Sequence, residues 1–201
     1  LSSTYRQSSA VRARASARDT TNRWLWRFTP RRLEAELVRD AMLSVSGDLN
    51  RTMHGASMQP FTVTVFNTNF YHLFDSPDAK FNRRTIYRAN VITGRDPLLD
   101  CFDCPSPSVA TPRRRTTVTP SQALSLMNNS FVLRQASQFA RRVQEIASDS
   151  PASQADWSFR LSLCRTPSLE ERRQLATLIQ DHGLEHACWA LLNSSEFLYS
   201  P

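Results

Sequence analysis

Three consecutive arginines, Arg113, Arg114 and Arg115, form the longest basic run in the sequence. Planar guanidinium groups bind carboxylate, phosphate or sulfate through paired hydrogen bonds. Pro112 precedes the run and β-branched residues follow it, which favours extended or irregular backbone. The pattern predicts a place where an anion or a carboxylate is held, and it identifies no reaction.

Two further arginine pairs, Arg31-Arg32 and Arg83-Arg84, could converge with this run on a phosphate, a sulfate or an acidic sugar. Equally, the arginines could tie loops together through structural ion pairs. The acids available for such pairs include Glu34, Asp100 and Asp103. The sequence leaves both interpretations open.

Trp24 and Trp26 lie in the aromatic segment NRWLWRF, flanked by arginines. Such a patch could stack on bases or sugars. More often it packs against the next helix, and we expect that packing here.

No metal or cofactor site is predicted. Cys101 and Cys104 form a CxxC pair, but Pro105 stands where c-type haem attachment needs histidine, and no second pair completes a zinc site. A local disulfide or two free thiols is therefore the preferred interpretation. His182 and His186 have the spacing of two ligands on one helix face, but Gly183 separates them and favours a helix end. Neither a glycine-rich phosphate loop nor a GxSxG nucleophile motif is present.

The chain has 201 residues and a net charge of +7, and all but one of its basic residues are arginine. This balance permits binding to polyanions, although a GC-rich genome would also favour arginine codons. The sequence contains no apolar run long enough to span a membrane. It begins LSSTYRQSSA, without an initiator methionine or a leader, and we expect it to be a piece of a longer protein.

Hydrophobic periodicity predicts a mainly α-helical domain, an irregular bundle with a small β or irregular insertion at about residues 55–90. Thr29-Pro30 and Thr119-Pro120 resemble helix starts, and Ser168 to Glu171 forms a capping box. The first predicted helix, residues 31–46, ends at Gly47, and its expected polar face carries Glu34, Glu36, Arg39 and Asp40. Further helices are expected at about 120–147, around 157–163, from 168 to 183 and at 185–193. Residues 148–154 look like a linker, which allows a division into 1–147 and 153–201.

Inside the insertion, Pro60 to Phe66 alternates Phe or Val with Thr, a strand pattern. Arg83 to Arg88, RRTIYR, could supply a second short strand. A hairpin and an extended insertion over the helical body both fit this segment.

Seven segments in order along the chain carry a resemblance to the uncharacterised planctomycetal domain of unknown function 1553. They are LSSTYRQSS, NRWLWR, PRRLEAELVRDAMLSVSGDL, RRTIYR, PLLDCFDCP, PRRRTTVTPSQALSLMNNSFV and WALLNSSEFLY. The chain resembles the C-terminal portion of that domain, which implies that a further helical segment precedes it. The resemblance also implies export to the periplasm or cell surface, in a protein whose cytochrome-c-like modules carry any redox chemistry.

Three features depart from the family pattern. Asp19-Thr20-Thr21 stands where family members often have Asp-Pro before the asparagine that matches Asn22. Cys101 and Cys104 flank the family's Phe-Asp motif without belonging to it, and FTVTVFNTNFYHLF has no counterpart.

Three functions remain possible from the sequence. The first is a non-catalytic accessory module that binds an anionic glycan or a cytochrome-c-like partner domain. Its candidate residues are Arg113, Arg114, Arg115, Arg83, Arg84, Trp24, Trp26 and Asp103. The second is a polysaccharide-acting enzyme domain that uses Asp103 and the TYRQ segment, with another carboxylate 5–10 Å away (roughly the separation in glycosidases). The third, nucleic-acid binding, fits the charge but conflicts with export.

Overall fold

The structure is a computed structural model that describes residues 2–200, and this range is mainly α-helical. The helices are α1 (Ala13–Arg18), α2 (Ala35–Ser46), α3 (Pro97–Cys101), α4 (Pro120–Asn128), α5 (Ser130–Ile146), α6 (Pro151–Leu163), α7 (Leu169–His182) and α8 (Leu184–Leu192). The strands are β1 (Arg31–Arg32), β2 (Phe61–Val65), β3 (Asn69–Leu73) and β4 (Tyr199–Ser200). The predicted fold class, mainly α with a small β insertion, is confirmed.

Helix α5 lies at the centre of the core and packs against α2, α4, α6 and α8. Phe131, Val132, Ala136, Phe139 and Val143 recur at three- and four-residue spacing along one buried stripe of this helix. The same continuous core includes residues from α6, α7 and α8. It therefore crosses the boundary that the sequence suggested at residues 148–152.

The predicted capping signals hold at three helix ends. Thr119 and Ser168 form complete capping boxes at the starts of α4 and α7. Gly47 ends α2 in the left-handed conformation that glycine adopts without a Cβ clash. Two caps were not predicted: Ser150 starts α6 at Pro151, so the expected linker is short, and Asn129 separates α4 from α5.

The predicted helix start at Thr29-Pro30 is wrong. Arg31 and Arg32 form β1, which pairs antiparallel with β4 near the C-terminus, and α2 begins four residues later at Ala35. The pairing partner lies far away in the sequence, so the local signal could not reveal it. His182 and His186 lie on separate helices with Gly183 between them, as expected.

The insertion contains a β-hairpin, which was one of the two structures expected for this segment. Strand β2 (Phe61–Val65) lies within the predicted strand from Pro60 to Phe66 and pairs with β3. The second expected strand, at Arg83 to Arg88, is wrong, because Thr85 to Tyr87 forms a 3₁₀ turn. The Asp40 carboxylate accepts hydrogen bonds from both the backbone amide and the hydroxyl of Thr85, at 2.7 and 2.6 Å, which fixes this turn against α2.

Arg39 does not lie on the polar face of α2, where the sequence suggested it. Its side chain is buried between the helix and the insertion, where it donates to the carbonyls of Phe81 and Arg83 and to the hydroxyl of Thr85. Adjacent residues of one helix, Arg39 and Asp40, thus hold residues 81–85 on the helical body. Within the described residues, no helix is both long enough and apolar enough to cross a bilayer.

The central role of α5 predicts a large effect for Phe139→Ala, because Phe139 is fully buried. We expect the free energy of unfolding to fall by about 3–5 kcal/mol, the range for an aromatic side chain removed from a core. Leu133→Ala on the same helix, where the side chain is partly exposed, is the matched control and should cost less than about 1 kcal/mol. Urea denaturation measures both, and equal losses would contradict the assignment of α5 as the centre of the core.

Candidate functional site

Two adjoining depressions lie beside the start of α2, with volumes of about 370 and 610 Å³. Arg115 and Asp103 line both, so the depressions form one surface feature, which we call the arginine groove. Its walls carry six arginines against three acids. The arginines are Arg31, Arg32, Arg95, Arg113, Arg114 and Arg115, and the acids are Glu34, Asp100 and Asp103. The groove therefore carries excess positive charge.

Arg114 forms a structural ion pair at the groove. Its two terminal nitrogens donate to the two oxygens of Glu36 at 2.7 and 2.9 Å, and Glu34 lies 3.3 Å away. This bidentate pair ties the irregular segment 105–118 to the first turn of α2. The structural ion-pair interpretation therefore accounts for Arg114.

Asp103 shapes the groove through Thr117. Its carboxylate accepts from the Thr117 amide at 2.8 Å and from the Thr117 hydroxyl, and its backbone adopts φ of +63°. Arg32 reinforces the same place by donating to the Thr117 carbonyl and the Gln122 side chain, both at 2.6 Å. Thr117, which follows the arginine run, is thus fixed by both Asp103 and Arg32.

Arg113 and Arg115 differ from the arginine between them. Both are exposed, and within residues 2–200 neither makes an ion pair or a side-chain hydrogen bond. Arg31 is exposed in the same way at the groove rim. Since Glu36 and Asp103 hold the backbone nearby, these three guanidinium groups project from an ordered wall with their donors available.

The structure does not bring Arg83 and Arg84 into the groove. Arg83 donates to the carbonyls of Thr52, His54 and Ala56 and so closes a loop of the insertion. Arg84 lies 3.7 Å from the Asp40 carboxylate. Hydrogen bonds and charge pairing inside the fold account for both residues.

Trp24 and Trp26 lie apart from the groove, in a shallow depression that Arg12, Arg14 and Arg18 also line. The expectation that the patch packs against the next helix is wrong for Trp24, which is 74 % exposed. The Asp19 carboxylate organises the loop by accepting the amides of Arg23 and Trp24 at 3.0 and 2.8 Å. These hydrogen bonds lower the pKa of Asp19.

Cys101 and Cys104 are free thiols in the structure, without a disulfide between them. Burial, together with the nearby Glu36 charge, raises the pKa of Cys104 to about 11, so the neutral thiol dominates at pH 7. Tyr5 of the TYRQ segment packs edge-on against Phe28 in the N-terminal arm. Among residues 2–200, no three histidine, cysteine or acidic side chains converge to hold a metal.

Sequence reasoning missed two smaller cavities that continue from the groove. One, of about 210 Å³, shares Arg95, Asp100 and Cys104 with the groove. The next, of about 170 Å³, shares Arg88 and Asp96 with the first and reaches Arg39. The sequence did contain a signal that Arg39 is buried, because Arg39 falls on the apolar stripe of α2 with Val38 and Met42.

The Glu36–Arg114 pair makes a pH-dependent prediction. Burial opposes ionisation of Glu36, but the hydrogen bonds and charge of Arg114 outweigh it and hold the pKa of Glu36 below its ordinary value of 4.5. A depressed pKa contributes stability above the unfolded-state pKa, and this stability is lost as the pH falls through the folded-state pKa. Glu36→Gln should therefore lower the free energy of unfolding by about 1 kcal/mol at pH 7, and the deficit should shrink below about pH 4.5.

Glu34→Gln is the matched control, since Glu34 is more exposed and farther from Arg114. Urea denaturation at pH 7 and pH 3.5 measures both variants. A Glu36→Gln deficit that is the same at both pH values would contradict the ion-pair account.

Comparison with known proteins identifies the chain only at the level of a family. The family model described as a protein of unknown function (DUF1553) matches residues 1–179. No curated protein and no solved structure matches the chain significantly. The model covers most of the sequence, including α2, the groove and the insertion, and this chain therefore belongs to the family of proteins of unknown function DUF1553.

Proposed function

We propose that this domain is a non-catalytic accessory module that binds an anionic polysaccharide along the arginine groove. The observation that carries the proposal is the contrast within the arginine run. Arg114 is paired with Glu36, whereas Arg113 and Arg115 flank it without a partner among the described residues. The ion pair with Glu36 gives Arg114 a role in the stability of the fold, whereas no such contact within residues 2–200 gives Arg113 or Arg115 that role.

The shape of the surface supports an extended ligand. The two depressions of the groove are contiguous, and Arg31, Arg113 and Arg115 are distributed along them. Several guanidinium groups along an open surface suit a chain that carries repeated carboxylate or sulfate groups.

The cellular setting is part of the same proposal. The family resemblance implies export to the periplasm or cell surface and cytochrome-c-like modules in the same polypeptide. A negatively charged face of such a neighbouring module is the alternative occupant of the groove. The phosphates of a nucleic acid would also be attracted to the positive charge of the groove, so the binding experiment includes DNA as a comparison.

The enzyme alternative depends on Asp103 as an acid, a base or a nucleophile. Asp103 has both carboxylate oxygens hydrogen-bonded to Thr117, an arrangement that suits a structural role. The TYRQ segment lies in the N-terminal arm with Tyr5 against Phe28. These contacts favour the binding module over the enzyme.

The test is binding of the double variant Arg113→Ala/Arg115→Ala to dextran sulfate and polygalacturonate across a salt series. We expect about tenfold weaker binding than for the unaltered chain, because charge-assisted hydrogen bonds are lost. Binding should also weaken with salt, since the contacts are exposed. Circular dichroism and urea denaturation check that the variant is folded.

The matched control is Arg51→Ala/Arg173→Ala, which removes the same charge from exposed positions outside the groove. It should bind nearly as well as the unaltered chain. Equal losses in the two double variants would contradict a localised site and indicate general attraction by net charge. Tighter binding to DNA than to either polysaccharide would overturn the proposed ligand class.

A further inference from the structure

The cavity beside Arg39 lies between the helical body and the insertion, and the cavity of about 210 Å³ separates it from the arginine groove. It has a volume of about 170 Å³, and its charged lining comprises Arg39, Arg88, Arg134, Asp75 and Asp96. Ser130 and Asn129 add polar groups at its rim. Three guanidinium groups face two carboxylates, which leaves one positive charge in excess.

Two of the three arginines are satisfied by acids. Arg134 makes a bidentate pair with Asp75 at 2.7 and 2.6 Å, and the Ser130 hydroxyl donates to the same carboxylate. Arg88 lies 2.7 Å from one oxygen of Asp96, whose other oxygen caps the start of α3. Both acids are therefore paired with other arginines, and neither forms an ion pair with Arg39.

Arg39 is only 5 % exposed, yet it has no carboxylate in hydrogen-bonding contact. Its nearest acid, Asp40, lies 3.9 Å away, does not line the cavity, and accepts from Thr85 while also facing Arg84. The structure gives partners to three of the five guanidinium N–H donors, namely two carbonyls and a hydroxyl. Burial, and then the charge of Arg88, lowers the pKa of Arg39 to about 10, so the opposing charges of Asp40, Asp96 and Asp75 compensate this buried cation only in part.

A buried charge whose nearest carboxylate lies 3.9 Å away is costly, and water in the cavity would solvate it without neutralising it. Phe131 adds a second constraint, since Arg39 and Arg134 both lie over its ring, with guanidinium carbons 5.2 and 5.7 Å from the centroid. The ring limits how far these two side chains can rearrange. An anion entering the cavity would therefore meet donors already held in place.

We propose that this cavity is a binding site for one monoanionic oxygen group, a carboxylate or a sulfate monoester. The excess of one positive charge sets the charge of the ligand, and the three planar guanidinium groups set its oxygen chemistry. The site does not depend on the proposed polysaccharide groove, whose free arginines do not line it.

Isothermal titration calorimetry with sodium acetate and with sodium methyl sulfate, at constant ionic strength against sodium chloride, tests the site. We expect saturable one-site binding of at least one of the two probes. Selective binding of acetate would assign a carboxylate, and selective binding of methyl sulfate would assign a sulfate monoester. Heats that do not saturate for either probe would overturn the proposal.

Two variants should move the affinity in opposite directions. Arg88→Gln removes the charge excess and should weaken binding about tenfold or more. Asp75→Asn increases the excess and should tighten binding several-fold. Arg39→Gln is less suitable because it also removes the contacts that hold residues 81–85, so urea denaturation must accompany every variant.

Arg84→Gln is the matched control, since Arg84 is a neighbouring arginine that does not line the cavity. It should leave the affinity for the probe nearly unchanged, as should Arg113→Ala/Arg115→Ala. Equal effects of Arg88→Gln and Arg84→Gln, or a loss of binding in folded Asp75→Asn, would overturn the assignment to this cavity. The groove variant thus separates failure of this site from failure of the proposed function.

Discussion

The burial of Arg39 is the constraint on which the irregular half of the structure depends. The side chain leaves the apolar stripe of α2 and supplies donors to the carbonyls of Phe81 and Arg83, while Asp40 fixes Thr85 from the next position. Buried backbone carbonyls need donors, and in this segment a helix side chain supplies them in place of a sheet. Residues 81–85 of the insertion are consequently ordered against the bundle without belonging to a strand or an α-helix.

The same physical problem recurs in the irregular segment 105–118. Charged side chains hold this segment too, since Glu36 binds Arg114 and Asp103 binds Thr117. A few arginines take part in none of these ion pairs. Arg113 and Arg115 stay exposed in the groove, and Arg39 stays buried with its nearest carboxylate 3.9 Å away, so excess positive charge remains at both places. The proposed anionic ligands follow from that excess.

The sequence predicted the helical core and its caps well because those signals are local. The stripe from Phe131 to Val143 and the capping boxes at Thr119 and Ser168 depend on neighbours within a few residues. The helix start predicted at Thr29-Pro30 was wrong because Arg31 and Arg32 are extended through pairing with the C-terminal strand, and a local pattern carries no information about such a distant partner. At the site, residue type identified the arginine run, but the division between paired Arg114 and free Arg113 and Arg115 depends on Glu36, 78 positions away. Arg39 was misplaced because charge suggested a polar face, although its spacing with Val38 and Met42 indicated the buried one.

Hydrogen–deuterium exchange with and without a sulfated oligosaccharide tests ligand binding in the arginine groove most directly, because it locates the ligand without any substitution. We expect slower exchange in residues 31–36 and 105–118, the two backbone segments that carry Arg31, Arg113 and Arg115. Exchange in residues 19–28, which hold Trp24 and Trp26, should not change. Protection confined to residues 19–28, or no protection in either groove segment under saturating ligand, would contradict the claim that the arginine groove is the binding surface.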